Sequence, residues 1–242
     1  MFSQNNGRVL KSTLYSTYLD FRKSYGIFLG VILGILVSSL LLSSLNTPSG
    51  ISDRHSSALD IGFMTGMITL CITMFVITSN GEILKKFSFP VNRITLLISH
   101  GLLILASPLV MLLTACACHL LEYLAASLIS ELNPGMVFTW IITKESFSAG
   151  FIFSYFIMVF AAAMTYCIAM YFYRHKIATG IVGLIIFILC LYVESFLELL
   201  DNTISFLLGG SIGIVSLKLL TASLVAMALA FIPLKRMEVK KS

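Results

Sequence analysis

TLLISHGLLILASPLVMLLTACACHLLEYLAASL, residues 95–128, runs for 34 residues with one acidic and no Lys or Arg side chain. A bilayer core of about 30 Å needs roughly 20 apolar residues in helical form. This stretch exceeds that, so its helix must tilt or project from the membrane. Five further apolar runs flank it, at residues 26–45, 59–79, 147–173, 177–197 and 214–234. All six are continuous, without the in/out alternation of outer-membrane strands. The expectation is an all-α membrane protein, one transmembrane domain over 1–242 with six spans. Whole-chain figures agree: 58% of residues are hydrophobic, 11% are charged, and the mean hydropathy is +0.98. A soluble domain carries about 25% charged residues. A soluble enzyme, a disordered chain and a nucleic-acid-binding domain are therefore excluded.

The charges set the expected orientation. Thirteen of the sixteen Lys and Arg residues fall in the N-terminal stretch, between the second and third spans, between the fourth and fifth, or in the tail. Arg54, Lys144 and Lys218 remain on the other side. The positive-inside rule then places both termini in the cytoplasm. The first apolar run reads as a retained span, not a cleaved leader, since a polar stretch of about 25 residues precedes it. All five cysteines lie inside apolar runs, which argues against a disulfide framework.

Three segments are more than spans or plain loops. In residues 8–25, Leu10, Leu14, Tyr18, Phe21 and Tyr25 recur on one helical face, with Lys11, Arg22 and Lys23 off it. That pattern suits a helix lying along the cytoplasmic interface, in contact with membrane lipids. Residues 80–93, NGEILKKFSFPVNR, are short, basic and amphipathic. Ile83, Leu84, Phe87 and Phe89 beside Glu82, Lys85 and Lys86 suit docking into a cleft of another protein, and Pro90 limits the helix. Residues 198–213, ELLDNTISFLLGGSIG, are apolar but too short to cross, and read as an outer re-entrant hairpin.

Together these features resemble the permease subunits of ABC-2-type transporters, the bacterial peptide or toxin exporter or immunity type such as the phenol-soluble modulin exporters. The shortest specific stretch is FSFPVNRITLLISHGL, residues 87–102, in which Pro90 and Arg93 precede the third span and Gly101 lies near its start. The resemblance implies the ABC-2 exporter transmembrane fold and a plasma-membrane location in a bacterium. It also implies a second permease copy or paralogue and two copies of a separate ATPase subunit. That ATPase would bind ATP and Mg and contact Glu82, Lys85, Lys86, Phe87, Phe89, Pro90 and Arg93. The interfacial helix, through Lys11, Leu14, Tyr18, Phe21 and Arg22, would be a second contact. No G-x-x-x-x-G-K-S/T phosphate loop occurs here, so the chain is expected to be non-catalytic and to bind no cofactor. The expected cargo is hydrophobic or amphipathic. The alternative is a toxin-immunity or scaffold protein that binds its ligand without ATP-driven transport.

Cys116, His119 and Glu122 share a broad face of the third span, but three groups on one helix make a poor zinc site. His119 and Glu122 are expected near the outer surface, and with Glu194 and Glu198 they are the candidates for a gate or cargo contact. An intramembrane protease is excluded because His100 and His119 stand about 28 Å apart along one helix. Neither G-x-S-x-G nor H-E-x-x-H occurs. Gly30/Gly34, Gly62/Gly66 and Gly209/Gly213 are sites for close helix approach, the first a candidate homodimer contact.

Overall fold

The computed structural model describes residues 5–45, 58–79, 93–132 and 144–235. Among these residues it is entirely helical: α1 Asn5–Leu45, α2 Ala58–Ile77, α3 Arg93–Leu132, α4 Lys144–Arg174, α5 Lys176–Tyr192, α6 Glu194–Leu208 and α7 Ile212–Lys235. Four of them (α1, α3, α4 and α7) contain apolar stretches long enough to cross a membrane, and the bent pair α5–α6 makes a fifth when counted as one span. α2 presents a shorter apolar stretch, Gly62–Ile77. Much of the bundle exterior is Leu, Ile, Val and Phe, as in Ile68, Leu113, Leu120, Leu184 and Leu224. Apolar patches of that extent belong in lipid, which is consistent with a multi-pass membrane protein.

Two elements differ in their limits from the sequence expectation. Residues 8–25 and 26–45 form one unbroken helix of 41 residues, about 60 Å long. Its inward face is Thr13, Thr17, Phe21, Phe28 and Ile32, whereas Tyr18 is 54% exposed. The expected fifth span, 177–197, is divided at Val193, where an extended residue turns the chain by 102°. α6 therefore takes in residues 198–208, most of the expected outer hairpin.

The core forms where α1, α2, α3 and α4 meet, with α7 packed along α4. Phe28, Leu70, Met74, Leu96, Met111, Met158 and Tyr166 are among its largest fully buried side chains. Buried alanines line the α4 and α7 contact faces (Ala162, Ala163, Ala226, Ala230), and small residues let helix backbones approach where lipid offers no hydrophobic drive. Ala115 of α3 and Ile32 of α1 flank Gly62, and Met111 and Phe28 flank Gly66. Those contacts set α1 parallel to α3, with Phe28 level with Met111 and Ile32 level with Ala115.

Buried hydroxyls return to their own helices. Thr73, Ser107 and Ser223 donate to the carbonyls four residues back at 2.7 Å, and Thr17 and Thr78 do so at 2.8 Å. Each bond removes a polar group from lipid without a partner helix. One proline is also compensated. Pro233 deprives the Leu229 carbonyl of its helical donor, and the Tyr171 hydroxyl donates to that oxygen at 3.4 Å. Beside Pro108, Tyr155 donates to the Leu105 carbonyl at 3.1 Å.

Candidate functional site

One end of the bundle is basic. The ends of α4 and α7 share it, because Arg174 Nη1 donates to the Pro233 carbonyl at 3.2 Å, and the start of α3 is drawn to it by the contact of His100 with Tyr166 of α4. Arg93 opens α3 there, Arg174 closes α4, and Lys176 opens α5. Lys11 of α1 lies toward the same end by the pairing of α1 with α3. Charged heads at helix ends keep contact with water while their stems lie along apolar surface. Of the expected ATPase-contact residues, Arg93 is thus positioned at the end of a core helix. Glu82, Lys85, Lys86, Phe87, Phe89 and Pro90 lie outside the described residues.

Just inside this end, α3 and α4 are joined by a buried polar contact. The Tyr166 hydroxyl lies 3.0 Å from His100 Nδ1, with both residues 1% exposed or less. Their rings meet edge-on at 5.3 Å between centroids. Nearby on α4, Thr165 donates to Cys71 Sγ of α2 at 3.3 Å. Sequence reading weighed His100 only as a possible catalytic base and did not pair it with Tyr166. The signal available was a lone histidine and a lone tyrosine inside apolar runs, which in lipid must find partners.

At the opposite end, α6 is an amphipathic helix. Glu194, Glu198 and Asp201 share one side with Ser195, Asn202 and Ser205, while Phe196, Leu200, Ile204 and Leu207 occupy the other. Glu194 and Glu198, expected as gate or cargo contacts, are exposed on that polar side. His119 is 5% exposed on α3, so it sits within the bundle and not at an open mouth. Glu122 follows it on α3, but its side chain lies outside the described residues.

Lys218 of α7 holds the tip of α6. Its ammonium donates to the carbonyls of Phe206 and, at 3.0 Å, of Gly209, and it stands 4.3 Å from the Phe206 ring centre. A cation on the last carbonyls of a helix also opposes the helix dipole. Gly210 makes the turn into α7 with φ +118°, a backbone angle that side chains resist. Beneath this tip, Phe160, Met164 and Cys167 of α4 and Val225 and Leu229 of α7 line an apolar cleft of about 400 Å³. Lys218→Met removes the clamp. Amide hydrogen exchange over residues 206–211 is expected to rise about tenfold, the loss of one charged hydrogen-bonding group. Exchange in α4 should stay unchanged, and equal rates in both proteins would refute the clamp.

Among the described residues, no group of three or more His, Cys, Asp or Glu side chains is placed to hold a metal ion. The chain matches no family model, no curated protein and no solved structure.

Proposed function

We propose that this chain is the non-catalytic permease subunit of an ATP-driven bacterial exporter of the ABC-2 type. It would cross the plasma membrane six times with both termini cytoplasmic, and move amphipathic or hydrophobic cargo, peptides or toxins, out of the cell. The observation that carries the reading is the state of α5 and α6: neither buries a single residue. α5 packs chiefly against the helices on either side of it in sequence. A span with no inward face in one copy is what a two-subunit pathway requires, and Gly180 and Gly183 leave open space for a close neighbour. A second copy or a paralogue would cover α5.

The driving force would enter at the basic end. An ATPase subunit holding ATP and Mg would close against residues 80–93 and push on Arg93, the first residue of α3. α3 reaches the core through Leu96, Ile104 and Met111, so its tilt would be felt by α1, α2 and α4 together. The small polar joints, His100 to Tyr166 and Tyr25 to Thr114 at 2.7 Å, are the contacts such a movement would strain.

The test is purification of the tagged chain in mild detergent with identification of co-eluting proteins. A phosphate-loop ATPase is expected in about one-to-one ratio, and K85E/K86E/R93E should reduce it about tenfold or more, as inverted interface charges do. The same sample should show ATPase stimulation by amphipathic peptides. Elution without an ATPase under several detergents would sink the exporter reading in favour of an immunity or scaffold protein.

A further inference from the structure

α1 stands upright beside α3, and that places two cations far from either end of the bundle. With Phe28 level with Met111, Arg22 is level with Leu105, twelve residues into α3 and about 18 Å from Arg93. The apolar stretch of α3 runs Arg93–Leu121, so Arg22 and Lys23 sit close to its middle. Both are exposed, on the side of α1 turned away from the core. Helical side chains lean about one turn toward the N-terminus, which still leaves the Arg22 guanidinium roughly two turns inside the apolar layer. Neither residue forms an ion pair within the described residues. Asp20, the acidic residue of α1, is half-buried and lies about 200° around the helix from Arg22. Cations in a lipid-facing position at this depth are costly and mark a binding or transfer path.

The rest of this face has a matching shape. Toward the basic end, Lys11, Ser12, Leu14, Tyr15 and Tyr18 border an open depression of about 570 Å³ on the surface of α1. Lys11, Tyr15, Tyr18 and Arg22 recur at helical spacing, so Arg22 continues the same stripe of α1. Beyond it, Gly26, Gly30 and Gly34 leave a shallow channel with no atom within 4 Å of where a Cβ would stand. The face is thus polar and aromatic, then doubly cationic, then bare. Candidate occupants from the chain itself fail on charge. Residues 80–93 and the tail after Leu234 are basic, and a second α1 across a two-fold axis would set Arg22 against Arg22.

We propose that this face of α1 binds an anionic phospholipid drawn in from the leaflet at the basic end. Its phosphate would meet Arg22 and Lys23, its headgroup would lie by Lys11, Tyr15 and Tyr18, and an acyl chain would lie along Gly26, Gly30 and Gly34. Guanidinium and phosphate match in charge and in hydrogen-bond geometry. The site concerns lipid and α1 alone, so it stands or falls separately from ATP-driven export.

The experiment uses the full chain reconstituted in phosphatidylcholine vesicles. Trace photoactivatable phosphatidylglycerol or phosphatidylcholine carries the same acyl-chain diazirine, and cross-links are mapped by mass spectrometry. Phosphatidylglycerol is expected to label residues 26–37 of α1 in preference to phosphatidylcholine. R22Q/K23Q should lower that labelling by roughly fivefold for each charge removed. R22K/K23R should retain it, and K176Q, at the basic end, should leave it unchanged. Equal labelling by the two lipids in the unaltered chain would overturn the site, with no variant needed. So would labelling that K176Q lowers as much as R22Q/K23Q, since that would place the attraction at the bundle end. Protection of the face by a bound acidic protein, with no lipid preference, would overturn it in favour of that partner.

Discussion

Tyr166→Ala is expected to lower the unfolding free energy by about 3 kcal/mol, the lower end of the range for emptying a large aromatic site in a packed core. The lower end applies because lipid, unlike water, gives little reward for burying the ring in the first place. What remains is the cavity. Tyr166 is fully buried at the meeting point of α3 and α4, beside Ala163 and Met170 of its own helix face. Its hydroxyl also supplies a partner to His100 Nδ1. Tyr166→Phe keeps the ring and removes only that partner, so it should cost about 1–2 kcal/mol. The two losses are separable by unfolding both variants in mixed micelles while following helix content. If Tyr166→Phe costs as much as Tyr166→Ala, the hydroxyl and not the volume holds the joint. If neither departs from the parent chain, the α3–α4 contact is not part of the cooperative unit.

The spans were readable because a membrane demands one simple thing of a sequence, an uninterrupted apolar run. Residues 95–128 carry that signal without help from any other segment. The division of α5 from α6 is a subtler matter. Hydropathy alone continues past Val193, so the run 177–197 ends where apolar residues thin out. The actual change is one of pattern: α5 is apolar all round, and from Glu194 onward the polar residues gather on one side. A reading that tracked amphipathicity as well as hydropathy would have placed the break at Val193.

The level of Arg22 and Lys23 against α3 was not readable at all. Default reasoning sets charged residues outside the bilayer and begins the span after them, at Gly26. Their level is fixed instead by Gly62 and Gly66, forty residues away, which let α2 bring α1 and α3 into one register. The carbonyl freed by proline belongs to the same class. Pro233 announces a missing donor at the Leu229 carbonyl, but nothing local says that Tyr171 of α4 leans toward the gap. A pairing between helices depends on which faces meet, and a single sequence carries that information only diffusely. The burial of His119 belongs with these: it lies near the far end of the apolar stretch of α3, but only its neighbours decide that its side chain is enclosed.

Among the glycines packed between the core helices, Gly62→Val should be the most damaging substitution, at about 3 kcal/mol, the upper end of what overpacking commonly costs. A Cβ at this position would stand 2.9 Å from the Ala115 Cβ and 3.7 Å from the Ala115 Cα. Those atoms belong to a helix backbone and its first side-chain carbon, so no rotamer change can clear them. α2 and α3 would have to separate, and α1 with them, since Ile32 Cδ1 lies 3.5 Å from the same point. Gly66 is four residues on and faces a softer surface. Its new Cβ would meet Met158 Cε at 3.1 Å and Phe28 Cε2 at 3.3 Å, and a methionine end can swing aside. Gly66→Ala should therefore cost about 1 kcal/mol. Gly30→Ala meets nothing within 4 Å and should fall within about 0.5 kcal/mol of the parent. The decisive measurement is the double substitution Gly62→Ala with Ala115→Gly, compared with each single change by thermal unfolding in detergent. If the clash is the cause, Ala115→Gly must recover most of what Gly62→Ala loses. Additive losses would instead mean that α2 and α3 do not meet at Gly62 and Ala115; the register of α1 with α3, which is read through α2, and with it the lipid site on α1, would lose its footing.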